Sequence, residues 1–519
     1  MLQALVQNKG RRQTVKTKTI VAPTKGLVAL NNIAMGVEGT ALILKNFFPK
    51  ADTVELRGGW EEHSDVGLIH PINSLMPYHG ATQNKLFAGT NTAVYDVTAS
   101  SASITSITGL ASSEIESVNF STSGGHFLYC VNGEDDAFYF DGSNWTVPAI
   151  TGVSSDNFTH VNVFKSRLYF VMKDSLEFAF LPVDSIAGAA DTFPLGNVFS
   201  KGGKLIATAT YTGDGGAGPD DHFVAITSQG QAAIYAGSDP ADANAWNLRG
   251  VFDLARPLGN RCCVKVGGDL YINTELGVVP LSQALKVDAA ALGTVAVTTN
   301  ISPLINRDAQ QYKSNFGWQM IAVPKHAMAI VNVPVSEGKS HRQYVMNSQT
   351  GAWCEFEGIN AVSWAVLDGT AYFGGIDGKV YQAFESASDG GSDIAGDMLT
   401  AYDDFGAKSR LKHWKMIRPV IYSQSSVSPQ IGLNVDYVEA APSGSIQAAT
   451  TSASRWGQMT WGSFTWYGGL RLSAKWRPIT DRIGYVGAVR MKVFASGSGS
   501  PVLLQVNQFD VTYEVGGVM

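Results

Sequence analysis

"YFGGIDGKVYQAF" occupies residues 372–384, and "LFAGTNTAVYDVT" at 86–98 repeats its plan, with Phe87, Gly89, Val94 and Tyr95 in register with Phe373, Gly375, Val380 and Tyr381. The shared unit is an aromatic or aliphatic strand start, a short turn rich in Gly, Asn or Asp, and an apolar second strand. Alternating apolar residues on either side of such a turn read as a β-hairpin. The unit recurs at 85–97, 126–145, 166–180, 221–237, 268–281, 326–356 and 369–384. These seven copies start roughly 40 to 58 residues apart, the period expected of blades of four strands. The pattern predicts an all-β chain with an irregular β-propeller of six or seven blades, because each blade leaves one face apolar and covers it with the next. The first and last hairpins then solve the same packing problem, and ring closure can bring them together. A β-sandwich array or a β-solenoid is the alternative, since the spacing is uneven and no WD or kelch signature is present.

With 519 residues, 45% hydrophobic and 16% charged, the chain is long enough for more than one core and has surfaces rich in Ser, Thr, Asn and Gly. Five segments are expected. Residues 1–25 form a basic arm, 26–60 extended strands that join a platform, 61–390 the propeller, 391–400 a polar linker, and 401–519 a β-sandwich-like platform with four long strands. Between blades, "SQALKVDAAAL" (282–292) is the only stretch that reads as a helix. Four cysteines, Cys130, Cys262, Cys263 and Cys354, lack C-x-x-C spacing and read as thiols in a reducing cytosol. The N-terminus places its cations after a short apolar patch, the reverse of a signal peptide, and no run of about 18 apolar residues occurs. Neither export nor membrane insertion is expected.

Charge is unevenly spread. Residues 1–60 carry nine Lys or Arg against three Asp or Glu, residues 401–519 carry twelve against seven, and residues 61–400 carry 17 against 34. An acidic body is flanked by basic ends, and only the ends suit an acidic partner.

Catalytic signatures are missing: there is no G-x-S-x-G elbow, P-loop or H-E-x-x-H. His63, His70 and His79 beside Glu61, Glu62 and Asp65 have neither helical nor strand-face spacing and read as loop histidines. "GDGGAGPDDH" (213–222) has the composition of a calcium loop without the EF-hand pattern. No catalytic residue, metal or cofactor is assigned. Two stretches qualify as interfaces. "KSRLKHWKMIR" (408–418) sets Lys408, Arg410, Lys412, Lys415 and Arg418 around Trp414, which suits an acidic surface or phosphates, or else guards an edge strand. "RWGQMTWGSFTWYGGLRLSAKWR" (455–477) packs Trp456, Trp461, Trp466 and Trp476 closely enough to be either core or an aromatic interface.

The order "LRGGWEEHSDV" (56–66), "NKLFAGTNTAVYDV" (84–97), "LGNRCCVKVGGDLYINTELGVVPLS" (258–282), "SQTGAWCEFEGI" (348–359), "YFGGIDGKVYQ" (372–382), "KHWKMIRPVIYS" (412–423) and "GLNVDY" (432–437) resembles the tail nozzle, or packaged-DNA stabilisation, proteins of short-tailed bacteriophages. The resemblance extends over about residues 45–515. It implies a non-enzymatic virion protein, assembled in the host cytoplasm as a homo-hexameric ring at the distal end of the tail. Its implied partners are the head–tail adaptor below the portal, tail fibres or spikes, a needle or plug, and genomic DNA held in and released through the channel. A carbohydrate-binding or carbohydrate-cleaving propeller of the virion is the competing expectation.

Overall fold

The computed structural model describes residues 14–30, 36–214, 219–423, 427, 429–442, 471–497 and 499–516. Two compact units divide them. One is Arg57–Ile394 with Ser496–Pro501, and the other is the described part of Met1–Leu56, Ala395–Ala495 and Val502–Met519.

The first unit is the propeller. Six four-stranded antiparallel blades follow one another: blade 1 over 72–108, blade 2 over 116–146, blade 3 over 158–194, blade 4 over 205–253, blade 5 over 319–356, and blade 6 over 363–386 completed by Gly59–Asp65. A three-stranded sheet, Cys263–Val266, Asp269–Thr274 and Gly277–Pro280, stands between blades 4 and 5. All seven hairpin copies cover the second and third strands of these seven sheets, and the copy at 326–356 runs on into the fourth, Trp353–Phe356. The spacing is uneven because blade 4 has strands of up to ten residues and a helical insert follows the three-stranded sheet.

Sheets join through apolar side chains of their central strands. Tyr129 of blade 2 meets Phe170 of blade 3 at 5.4 Å, and Tyr169 of blade 3 meets Phe223 of blade 4 at 4.7 Å. Such ring pairs add about 0.5–1.5 kcal/mol each beyond area burial. The ring closes where Gly59–Asp65 pairs with Lys379–Ser386, with Lys379 opposite Asp65 and Val380 opposite Ser64. Blade 6 thereby adjoins blade 1, and Leu86, Ala88, Val97 and Val380 share one buried cluster. The two hairpins that were similar in sequence are neighbours. Their registers differ by one step: Ala88 faces Tyr95, but Phe373 faces Tyr381.

The helical reading needs correction. Residues 282–292 break into the short helix Leu281–Ala284, the 3-10 turn Ala289–Ala291 and the start of Leu292–Val295. Among the described residues the longest helix is Ser302–Tyr312, which buries Ile305, Asp308 and Ala309 on one face and has a proline in its first turn. Its apolar stripe is too narrow to register as a periodic pattern. A buried carboxylate occupies one stripe position, where Asp308 accepts a hydrogen bond from the Tyr344 hydroxyl at 2.8 Å.

The second unit is sandwich-like. One sheet orders Phe47–Pro49, Val54–Leu56, Leu504–Val515, Lys412–Ser423 and Arg471–Ser473, with Lys16–Val21 and Arg477–Gly484 also pairing to its two long strands. The other contains Ala41–Lys45, Ile394–Thr400, Gly487–Ala495 and Gln430–Val435. Three boundaries differ from expectation. Part of the basic arm is the strand Lys16–Val21, Gly59–Trp60 begins the closing strand of the propeller, and Ile394–Thr400 is a strand where a linker was expected. Ile394, Met398 and Leu399 are buried, so only the Ser/Asp/Gly stretch before them behaves as a connection.

Candidate functional site

The basic run 408–418 is dispersed by strand alternation. Lys408 is 90% exposed and lies 4.0 Å from Asp404, and Arg410 is exposed. Lys412 is enclosed and donates to the carbonyls of Ala407 at 2.7 Å, Arg410 at 3.1 Å and Tyr485 at 2.5 Å. Burial pushes its ammonium below the usual range, while Asp404, Asp436 and Asp403 oppose that shift. Trp414 is fully buried against Phe405. Lys412 and Trp414 are therefore structural and reach no partner. Lys415 and Arg418 lie on the opposite face, paired with Glu514 at 3.1 Å and Asp510 at 2.5 Å. The Arg418 guanidinium also sits 5.0 Å over the Trp476 ring. Trp456, Trp461 and Trp466 lie outside the described residues, as does part of 213–222.

A polar constellation lies at the propeller axis. Neighbouring first strands approach one another there, among them Ile72–His79, Glu116–Thr122, Phe158–Phe164 and Leu205–Asp214. Arg261 precedes the first strand of the three-stranded sheet, and its carbonyl accepts the Met320 N–H at 3.1 Å. Its side chain reaches across the ring to blades 1 and 2. Nε donates to Glu116 Oε1 at 2.7 Å, Nη1 to the Asn73 carbonyl at 3.0 Å, and Nη2 to Ser74 Oγ at 2.8 Å and the Ile115 carbonyl at 3.0 Å. The Phe316 ring lies 5.6 Å from the guanidinium. In the order of the sheets, the three-stranded one stands opposite the junction of blades 1 and 2, so this side chain bridges the axis.

Charges around the bridge are tuned by burial. Desolvation pushes Glu114 upward, with Arg261 opposing and Glu337 and Glu116 adding to the rise. His160 accepts the Thr208 N–H on Nδ1 at 3.5 Å, and burial keeps its imidazole below the usual value against the pull of Glu116. Glu116 is committed to Arg261 and His160 to Thr208, so the geometry fastens strands and presents no acid–base pair. No group of three or more His, Cys, Asp or Glu among the described residues could hold a metal.

A second convergence sits at the closure. Arg57 Nη1 donates to Asp389 Oδ1 at 2.8 Å and Nη2 to Asp389 Oδ2 at 2.7 Å, and Nη2 also donates to the Glu357 carbonyl at 2.7 Å. Trp60 packs edge-on against Phe373 and Tyr381 at 5.8 and 4.7 Å, and its Nε1 donates to the Gly358 carbonyl at 3.2 Å. Gly59 must be glycine because a Cβ there would lie 2.1 Å from the Ser388 carbonyl oxygen. Three stretches singled out in the sequence, 56–66, 348–359 and 372–382, thus meet here. His63 belongs to this closing strand and bonds the Val97 carbonyl at 3.0 Å, so it is a strand residue where a loop was expected.

A cleft of about 620 Å³ lies beside blade 4, lined by Val198, Ser200, Gln231, Phe252, Asp253 and Lys286 among others. Gln231 Nε2 bridges Ser200 Oγ at 3.1 Å and Asp253 Oδ1 at 3.0 Å. Lys201 holds the Asp253 carboxyl below its ordinary range, so it is ionised at neutral pH. Arg57 and Arg261 were not singled out from the sequence; a lone arginine before a glycine pair or before a cysteine pair carries no spacing signal.

No family model matches the chain, and no curated protein matches it. Solved structures do. The extracellular domain of a putative hybrid two-component system of B. thetaiotaomicron matches at 11% identity over 60% of this chain and 40% of its own, with a TM-score of 0.41. BBS1N in complex with ARL6DN matches at 12% identity over 63% and 98%, with a TM-score of 0.39. The computationally designed Ika8 protein matches at 9% identity over 62% and 99%, with a TM-score of 0.36. The chain spans less than half the length of the first of these.

Proposed function

We propose that the chain is the ring-forming nozzle subunit of a short-tailed phage tail, a structural virion protein that retains packaged DNA and forms the exit conduit. The observation that carries the reading is the meeting of 56–66, 348–359 and 372–382 at the Arg57–Asp389 closure, while 258–282 supplies the axial Arg261. The residues behind the resemblance are thus the fastenings of the propeller, as a part selected for mechanical integrity would need. Because Arg261 bridges the propeller's own axis, the conduit in this reading runs between copies. Acidic propeller surfaces would rim it and let a duplex slide without counterion release.

The test is assembly. Negative-stain microscopy of the purified chain is expected to reveal rings that seat on a portal–adaptor complex, and a chain that never binds such a complex sinks the reading. Replacing exposed carboxylates of the propeller with lysine is expected to slow DNA ejection; an unchanged rate counts against the conduit. The cleft beside blade 4 favours a second reading, a glycan-binding propeller, because it offers the Phe252 ring beside the amide and carboxylate of Gln231 and Asp253. Binding of host polysaccharide that is lost in Asp253→Ala would support that reading over the nozzle.

A further inference from the structure

The seven-stranded sheet of the second unit has two unlike faces. On Lys412–Ser423 the side chains of Trp414, Ile417 and Ile421 are buried, while Lys415, Met416, Arg418 and Tyr422 are not. Register carries this outer face across the sheet: Met416 lies opposite Thr512 and Pro478, Tyr422 opposite Leu472, and Val21 opposite Gln508. Apolar side chains stand open on it or at its rim, with Leu472 54% and Ile483 59% exposed. Lys475 is exposed in the link between two of these strands, while the exposed Lys16 and Arg482 stand at the sheet's edges, in register with Tyr513 and Trp414 of the buried face. Lys415 and Arg418 are already neutralised by Glu514 and Asp510, so the cations that surround the face are Lys475 beside it and Lys16 and Arg482 at its edges.

We propose that this face docks the acidic propeller of a second copy of the same chain, a head-to-tail contact that repeats around a closed ring. Complementary charge identifies the occupant. Residues 61–400 carry 17 cations against 34 carboxylates, whereas 401–519 and 1–60 are both basic. Two copies meeting face to face on this sheet would set cation against cation, which an isologous dimer cannot avoid. The apolar side chains supply area, and the charges select the partner and the direction. The inference rests on the ring of the proposed function and names the surface that builds it.

The experiment uses the full-length chain. Sedimentation is expected to show self-association that weakens roughly tenfold as NaCl rises from about 50 to about 500 mM. A Leu472→Asp, Ile483→Asp double variant is expected to remain monomeric with an unchanged circular dichroism spectrum, since both side chains are exposed. Carbodiimide cross-linking of mixed ¹⁴N- and ¹⁵N-labelled copies is expected to join Lys475 of one copy to carboxylates within 57–394 of another. The proposal is overturned by a wild-type chain that stays monomeric, by a double variant that assembles normally, or by cross-links confined to residues of the second unit. A double variant that still seats as a ring on portal and adaptor overturns this contact and leaves the nozzle reading standing. Rings that bind no portal–adaptor complex but show the Lys475 cross-links do the reverse.

Discussion

Arg57 and Asp389, 332 positions apart, form a two-pronged buried ion pair at 2.8 and 2.7 Å beside the seam where the first and last strands of the propeller close the ring. The Arg57 side chain is 0% exposed and that of Asp389 10%. Removing one partner of such a pair strands a charge and costs about 3–5 kcal/mol, while replacing both by apolar groups is close to neutral. Arg57→Ala is therefore expected to lower unfolding free energy by that amount in urea titration, and Arg57→Met with Asp389→Leu to recover most of it. A single-variant loss under about 1 kcal/mol would show that the pair does not secure the closure.

Arg261 should behave as a bolt. Arg261→Ala removes the Arg261 donor from Glu116 and from the Asn73 and Ile115 carbonyls, each worth about 1–3 kcal/mol where burial is high, while Ser74 Oγ keeps the Ile115 N–H at 2.7 Å. Faster hydrogen exchange is expected in Ile72–His79 and Glu116–Thr122 ahead of the outer strands. Arg261→Lys is expected to resemble the alanine variant, because an ammonium cannot supply the planar fork. Full rescue by lysine would mean that charge alone is needed.

His341 gives the protein an acid sensitivity. It is 4% exposed, neither ring nitrogen has a hydrogen-bond partner among the described residues, and burial lowers its pKa from 6.5 to about 4. Because the folded value lies below the unfolded one, this contribution is fully present above pH 6.5 and is lost as pH falls towards 4. About 3 kcal/mol of stability should disappear across that window. His341→Leu is expected to flatten the profile there, measured as the difference from wild type so that carboxylates cancel; parallel profiles would contradict the assignment.

The second unit cannot be removed cleanly. Lys16–Val21 and Val54–Leu56 pair with Leu504–Val515, and Ala41–Lys45 pairs with Ile394–Thr400. Deletion of 401–519 is expected to expose these strands, to abolish ring formation and to leave an aggregation-prone chain. Hexamers of the truncated chain in native mass spectrometry would refute the role given to this unit.

Local pattern made the propeller legible. Each copy of the hairpin combines period-2 apolar alternation with a turn of Gly, Asn or Asp, and both signals are complete within about fifteen residues. The long strands Lys412–Ser423 and Leu504–Val515 were legible for the same reason. Ser302–Tyr312 was not, since its helical face buries a carboxylate whose partner, Tyr344, comes from blade 5. Nor could the basic run be divided into enclosed Lys412 and outward-facing Arg418, an even number of residues apart, because a bulge between Trp414 and Met416 shifts the alternation.

Sequence by itself determined that strands come in repeated hairpins and that charge is segregated along the chain, since both are properties of neighbouring residues. Tertiary structure alone decided which distant residues became partners. Arg57 finds Asp389 only once the last blade returns to the first, and Arg261 finds Glu116 only because their sheets stand on opposite sides of the axis. Such pairings depend on ring geometry, which no stretch of sequence encodes locally.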